Sequence, residues 1–320
     1  MNNVLITGGT GSFGQAFIRH MLASPFCPER LCVLSRDEYK QHLLRQEFHD
    51  DYRLRFFLGD VRDQERLEVA FHGVDTVIHA AALKQVPAGE YNPEEFIATN
   101  VIGSRNVLEA ARVAGVRRAL LLSTDKACAP VTLYGATKLT AEKLFTAANS
   151  LHGTISASTR YGNIIDSRGS VVPLWREALE AKKPILVTDP DATRFHMTQN
   201  QAVQLVLLAL HEMQGGEVFI PKLRSYRLGD LVQVVTGQPG KVTGPRPAEK
   251  VHEVLVSHDE MRVAMDHMDH IRLIPEIHPW RSNGGPEGIA LAGYEYGSRD
   301  VVMTQEELRI ALEAQRTMAA

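Results

Sequence analysis

Apolar and polar positions along the chain follow two alternating rhythms. Short, almost wholly apolar runs fall at Val4–Thr7, Leu31–Leu34, Leu54–Leu58, Thr76–His79, Ala119–Ser123 and Ile155–Arg160. Between them, apolar residues recur every three or four positions, which predicts helices over Ser12–Leu22, Glu38–Phe48, Pro93–Ala114 and Tyr134–Asn149. Pro93 suits a first helical turn. Strands that lack polar alternation are buried on both faces. The pattern therefore predicts an α/β fold, a doubly wound parallel sheet with helices on either side and right-handed crossovers. After Tyr161 the rhythm breaks. Asn163–Ser170 reads as a polar loop, Val171–Ala181 and Gln201–Met213 as helices, and Glu217–Ile220 as a late strand. From Arg224 onward the pattern is irregular, with Pro and Gly crowded into Gln238–Pro247, and Ser282–Gly288 reads as a mobile loop. The expected organisation is a dinucleotide-binding domain over residues 1–162 and about 184–222, with a smaller substrate-binding lobe over 163–183 and 223–320.

Charge narrows the partners. The 320 residues carry 35 Lys and Arg against 38 Asp and Glu, a net charge of −3. With no global basic field, neither nucleic acid nor an anionic membrane is expected as partner. The run Ala202–Leu210 falls far short of the ~20 apolar residues that span a bilayer. The chain enters its first strand without a basic, cleavable leader, so a cytoplasmic location is expected. Cys27, Cys32 and Cys128 form no C-x-x-C pair, which argues against a disulfide framework or a thiolate zinc site.

The first strand ends in Thr7-Gly8-Gly9-Thr10-Gly11-Ser12-Phe13-Gly14. Gly8, Gly11 and Gly14, with Thr10, Ser12 and Phe13 between them, stand between a strand and a helix. That is the context of a Rossmann-type turn, in which backbone N–H groups and the helix N-terminus receive a pyrophosphate. Cofactor choice falls to Ser35, Arg36, Asp37 and Lys40 after the second strand. Arg36 and Lys40 suit a 2′-phosphate, which favours NADP; Asp37 suits a ribose 2′-hydroxyl, which keeps NAD as the alternative. Asp60 and Val61 are expected near the adenine, and Ala80, Ala81 and Ala82 form a close wall for the cofactor.

The fifth strand ends in Ser123-Thr124-Asp125-Lys126, and Tyr134 and Lys138 follow at helical i, i+4 spacing. A phenol with a pKa of about 10 is a poor base at neutral pH. A neighbouring ammonium favours its phenolate, so Tyr134 can take an alcohol proton while hydride leaves carbon, with Lys138 holding the nicotinamide ribose. Hydride transfer alone needs no further acid or base. Asp125 and Lys126 beside the tyrosine therefore point to a second proton transfer, such as loss of water.

Together these residues make the chain resemble an extended short-chain dehydrogenase/reductase, and within it the inverting UDP-N-acetylglucosamine 4,6-dehydratases of the pseudaminic acid pathway. The segments that carry the resemblance are TGGTGSFG (7–14), SRDEYKQ (35–41), GDVRD (59–63), HAAALKQVPAGEYNPEEFIATNVIGSRNV (79–107), STDKACAPVTLYGATKLTAEKLF (123–145), RYGNIIDSRGSVVP (160–173), TRFHMT (193–198), GGEVFIPK (215–222), RPAEKVHE (246–253) and YEYGSRD (294–300). The resemblance implies oxidation of C4 with Tyr134 as base and Thr124 steadying the oxygen. Lys126 then acts as the C5 base, Asp125 assists departure of the 6-hydroxyl, hydride returns to C6, and C5 is inverted. The implied product is a UDP-2-acetamido-2,6-dideoxy-4-hexulose of β-L-arabino configuration. Lys126 can serve as a base only if its pKa is depressed. Lys84, Asn163, Val171, Arg194, Arg246 and Glu249 are the candidate substrate contacts; the arginines suit the diphosphate, and Glu249 suits the ribose or the task of orienting Arg246. Asp166, His196-Met197, Ala248, Gly297 and Asp300 depart from the family pattern.

Two functions stay open beside the dehydratase: a C4 or C5 epimerase (or a dehydratase of another UDP-sugar), and a non-catalytic NADP-binding protein. His267 and His270, spaced i, i+3 with Asp266 and Asp269 nearby, lack an obvious third ligand, and no metal is expected. The long helices Pro93–Ala114 and Tyr134–Asn149 suit pairing across a two-fold axis, so a homo-oligomer, dimer or hexamer, is expected.

Overall fold

The computed structural model describes residues 1–151, 153–165, 170–246, 248–276 and 288–319. Asp166 and the segment 282–287 lie outside the described residues.

Seven parallel strands build the centre of the sheet. They are β1 (Asn3–Thr7), β2 (Arg30–Ser35), β3 (Leu54–Leu58), β4 (Thr76–His79), β5 (Arg118–Leu122), β6 (Ile155–Thr159) and, later in the chain, β9 (Val218–Pro221). Short strands lie between and after these: β7 (Leu186–Val187), β8 (Thr193–Phe195), β10 (Ser225–Arg227), β11 (Lys241–Val242), β12 (Val254–Val256), β13 (Ala264–Asp266), β14 (His270–Leu273), β15 (Ile289–Ala290) and β16 (Tyr296–Gly297). The parallel order is β3-β2-β1-β4-β5-β6-β9, so the connection reverses direction between β1 and β4. Val4, Leu5 and Ile6 are fully buried, as expected of a strand covered on both faces.

The helices are α1 (Ser12–Ala23), α2 (Glu38–Glu47), α3 (Gln64–Ala70), α4 (Val86–Tyr91), α5 (Pro93–Phe96), α6 (Gly103–Val113), α7 (Leu133–Ala147), α8 (Val171–Glu180), α9 (Gln199–Glu212), α10 (Leu228–Thr236) and α11 (Gln305–Ala319). One core packs α1 and α9 against one sheet face and another packs α3, α6 and α7 against the other; a third gathers α8, α10 and α11 beside the sheet. Among the described residues no helix is long and apolar enough to cross a membrane.

Two expectations need correction. The helix expected over Pro93–Ala114 is interrupted by a π-helical turn at Ile97–Ile102. Within it the Asn100 side chain bonds the Leu83 N–H at 2.8 Å, the Leu83 carbonyl at 2.9 Å and Thr137 at 3.0 Å. Such single wider turns mark functional segments, and this one ties the β4 loop to α7. The domain division also differs. β13 and β14, expected in the lobe, extend the large sheet, with β14 antiparallel to β9. Their pairing covers an edge of β9 that would otherwise lie open. Conversely, β7 and β8, expected in the dinucleotide domain, pair with β11 and β10.

The chain that follows β11 is fixed to the sheet by Arg160, which is 1% exposed. Its guanidinium donates to Glu142 at 2.7 and 3.1 Å, to the Leu255 carbonyl at 3.0 Å, and to Glu260 at 2.8 and 2.9 Å.

Candidate active site

Where the strand order reverses, the carboxyl ends of the strands open a cleft of 1120 Å³. Gly8 has φ +67°, and a Cβ there would lie 2.9 Å from the backbone of Ala81. A Cβ on Gly14 would lie 2.3 Å from the Gly9 carbonyl oxygen. The turn therefore closes only with hydrogen at both positions. Gly11 caps α1 without a side-chain hydrogen bond, leaving the first-turn N–H groups and the positive helix end to face the cleft. A glycine cradle with unclaimed donors fits the pyrophosphate of a dinucleotide. Beneath it, His79 is held by Thr7 Oγ1 at 2.7 Å and Ser104 Oγ at 3.1 Å. Burial, aided by the charge of Lys138, pulls this imidazole down to about 3, so it is neutral.

Thr10, Ser12, Phe13, Ala80, Ala82 and Val61 line the same wall. Ser35 is engaged by Gln41 Nε2 at 3.0 Å. Asp37 accepts from the Lys40 N–H at 3.0 Å, capping α2, and its other oxygen pairs with Lys40 Nζ at 2.7 Å. Asp60 pairs with Arg62 at 2.7 Å and Arg36 at 3.5 Å. The Arg36 side chain is 51% exposed, free to turn toward a ligand.

β5 ends at Leu122, and a single 3₁₀ turn, Asp125–Ala127, follows with Thr124 as its cap. Lys126 lines the cleft with its side chain 25% exposed, whereas Asp125 lies behind it at 1%. Lys126 Nζ stands 3.0 Å from Asp125 Oδ1, 3.1 Å from Glu253 Oε1 and 3.4 Å from Asn163 Oδ1. Thr124 Oγ1 donates to Asp125 Oδ1 at 2.9 Å. Burial favours the neutral amine of Lys126, but Asp125 and Glu253 outweigh it and hold the ammonium above its ordinary range. The depressed pKa that a base role requires is therefore not met in the resting site, because two carboxylates flank one cation.

Tyr134 and Lys138 both line the cleft from the first turns of α7, which starts at the Thr132 cap. Burial holds the Tyr134 phenol above its ordinary range, against the opposing pull of the Lys126 ammonium and a hydrogen bond with Thr124. Lys138 is 3% exposed, and burial lowers its ammonium to about 8 against the opposing pull of Glu142.

At the far end, Arg194 is 6% exposed, and its donors reach the carbonyls of Thr193 at 2.8 Å and Val251 at 3.0 Å and the carboxylate of Glu249 at 2.9 Å. A diphosphate would compete with Glu249 for it. Glu249 also accepts from the Arg246 N–H at 3.1 Å, and the Arg246 side chain is exposed at the rim with Lys84. Asn163 and Val171 complete this end, the latter opening α8, whose Ser170 cap makes no side-chain bond. Two buried cleft residues escaped the sequence reading, Glu253 and Tyr226. Glu253 and Leu255 share the inward side of an extended segment, and a carboxylate at such a position is a legible signal. His267 and His270 stack at 4.6 Å across the β13–β14 turn.

A family model described as polysaccharide biosynthesis protein matches residues 4–275. The chain is 44% identical over 280 residues to a UDP-N-acetylglucosamine 4,6-dehydratase (inverting) of Campylobacter jejuni, covering 86% of this chain and 83% of that protein. It is 40% identical over 280 residues to a UDP-glucose 4-epimerase of Rickettsia canadensis, covering 84% and 82%. Among solved structures it resembles Pen from Bacillus thuringiensis, with TM-score 0.89, 37% identity and 98% of both chains covered.

Proposed function

The chain belongs to the polysaccharide biosynthesis protein family of extended short-chain dehydrogenase/reductases, and from that membership we propose that it is an NADP-dependent UDP-N-acetylglucosamine 4,6-dehydratase that inverts C5. The observation that carries the reading is Lys126, held between two carboxylates in the cleft wall that Tyr134 also lines. Epimerisation at C4 needs one hydride transfer and one proton relay, and no second acid–base group.

Gly8, Gly11 and Gly14 with the α1 N-terminus hold the pyrophosphate of the dinucleotide, and Arg36 turns to its 2′-phosphate. When bound, its nicotinamide supplies the hydride acceptor for C4 and the donor for C6. Tyr134 takes the 4-hydroxyl proton, the Lys126 charge and the Thr124 hydrogen bond offsetting part of the rise that burial imposes on the phenol. The resulting ketone acidifies C5–H. The flanking carboxylates keep Lys126 an ammonium in the resting site, so it becomes a base only once its proton has passed to Asp125, 3.0 Å away; the amine then takes the C5 proton. The C5–H electron pair forms the C5–C6 double bond as the 6-hydroxyl departs. Asp125 is buried, so its proton reaches that hydroxyl through Thr124 Oγ1, 2.9 Å away: once Asp125 is protonated the Thr124 hydroxyl turns, accepts from Asp125 and donates to the departing oxygen. Water leaves, Asp125 is again a carboxylate and Lys126 again an ammonium; with the hydride returned to C6, the Tyr134 phenol gives its proton to C5 on the face opposite the one deprotonated, which inverts that centre and restores the tyrosine. Arg246, Asn163 and the α8 N-terminus receive the diphosphate, with Arg194 freed as Glu249 turns to the ribose.

Incubation with UDP-N-acetylglucosamine, followed by mass spectrometry, tests the reading. A product lighter by one water is expected; an isomer of unchanged mass would favour the epimerase.

A further inference from the structure

Glu253 has no assigned part in the chemistry above, yet it is the second carboxylate on Lys126. It is 2% exposed and lines the cleft from the segment before β12. Its Oε1 stands 3.1 Å from Lys126 Nζ and 3.9 Å from Arg194 Nε, and its Oε2 is buried with no hydrogen-bond partner. Its backbone is pinned at both ends, the N–H donating to Ser298 Oγ at 2.9 Å and the carbonyl accepting from the Ser298 N–H at 2.8 Å. The groups facing it are Lys126 and Asp125 from the end of β5 and Arg194 from β8, with the phenol of Tyr226 beside this charge cluster.

We infer that Glu253 is a positioning residue for the elimination: it fixes Lys126 Nζ from the side opposite Asp125 and sets how readily the ammonium proton passes to Asp125. The inference rests on the dehydratase reading. A buried carboxyl with one oxygen unpartnered is a costly feature to retain for stability alone. As carboxylate, Glu253 binds the ammonium and opposes the transfer; as carboxylic acid it still accepts the Lys126 hydrogen bond but releases the proton to Asp125. Burial and the Asp125 charge raise Glu253 toward its neutral form, against the pull of Lys126 and Arg194. The protein thus holds the ammonium ready without locking it.

The test compares wild type with Glu253→Ala and Glu253→Gln in the full chain, using UDP-N-acetylglucosamine and reading C4 oxidation as cofactor absorbance and dehydration as water loss. Glu253→Ala is expected to lower kcat for dehydration about 10²-fold, with KM and C4 oxidation retained, so reduced cofactor accumulates. Glu253→Gln keeps the acceptor and restores most of the rate, with a dehydration pH profile displaced from wild type. Unchanged dehydration in both variants, or C4 oxidation falling in parallel with dehydration, overturns the inference. A wild type that removes no water from the sugar refutes the dehydratase reading instead.

Discussion

Lys126 Nζ lies 3.0 Å from Asp125 Oδ1, a pairing of chain neighbours at the wall of the cleft. Adjacent residues on a strand point to opposite faces; the 3₁₀ turn at Asp125–Ala127 is what lets these two meet. Lys126→Ala is expected to lower the rate of water loss by about 10³-fold or more while dinucleotide binding persists. Product mass spectra and a dinucleotide titration check it.

Tyr134→Phe removes the group that takes the first proton. C4 oxidation should fall by about 10²- to 10⁴-fold, with no cofactor absorbance change on adding substrate, while the melting temperature stays near that of wild type.

The glycine cradle makes a steric prediction. Gly14→Ala puts a methyl group 2.3 Å from the Gly9 carbonyl oxygen and must displace α1. Loss of dinucleotide affinity by tenfold or more, about 1.4 kcal/mol, is expected in a fluorescence titration. In the same assay NADP should bind more tightly than NAD, and Arg36→Ala should remove the difference.

Much of this was legible beforehand, for physical reasons. Strands such as Val4–Thr7 announce themselves because burial on both faces leaves no polar alternation, and the glycines of the cradle because no other residue fits. What escaped reading depends on contacts distant in sequence. The π-helical turn at Ile97–Ile102 accompanies Asn100 bonds to Leu83 and Thr137. The protonated state of Lys126 depends on Glu253, more than a hundred residues away. The joining of β14 to β9 depends on an edge that periodicity does not describe.

Acid should loosen the chain at Arg160. Burial opposes ionisation of Glu260, but the hydrogen bond and charge of Arg160 prevail and hold its carboxyl at about 2. An unfolded glutamate titrates at about 4.3. The folded value is depressed, so this contribution is fully present above about 4.3 and is lost as pH falls toward 2, to the extent of roughly 3 kcal/mol. Denaturant melts of wild type and Glu260→Gln should differ at pH 6 and converge in acid.

Ala248 has φ +58°, a left-handed conformation that costs an L-residue about 1–2 kcal/mol. Ala248→Gly should raise stability by about 1 kcal/mol in a denaturant melt, since the methyl group is exposed and gives up little packing.

In the proposed reaction, hydride taken from C4 returns to C6 of the same sugar while Lys126 and Asp125 remove water between. UDP-N-acetylglucosamine deuterated at C4 follows that hydride, with the product read by mass spectrometry and NMR. The expected product has lost one water and carries the deuterium in its C6 methyl group. A product of undiminished mass, or one with its deuterium lost to solvent, would rule out internal hydride return with dehydration.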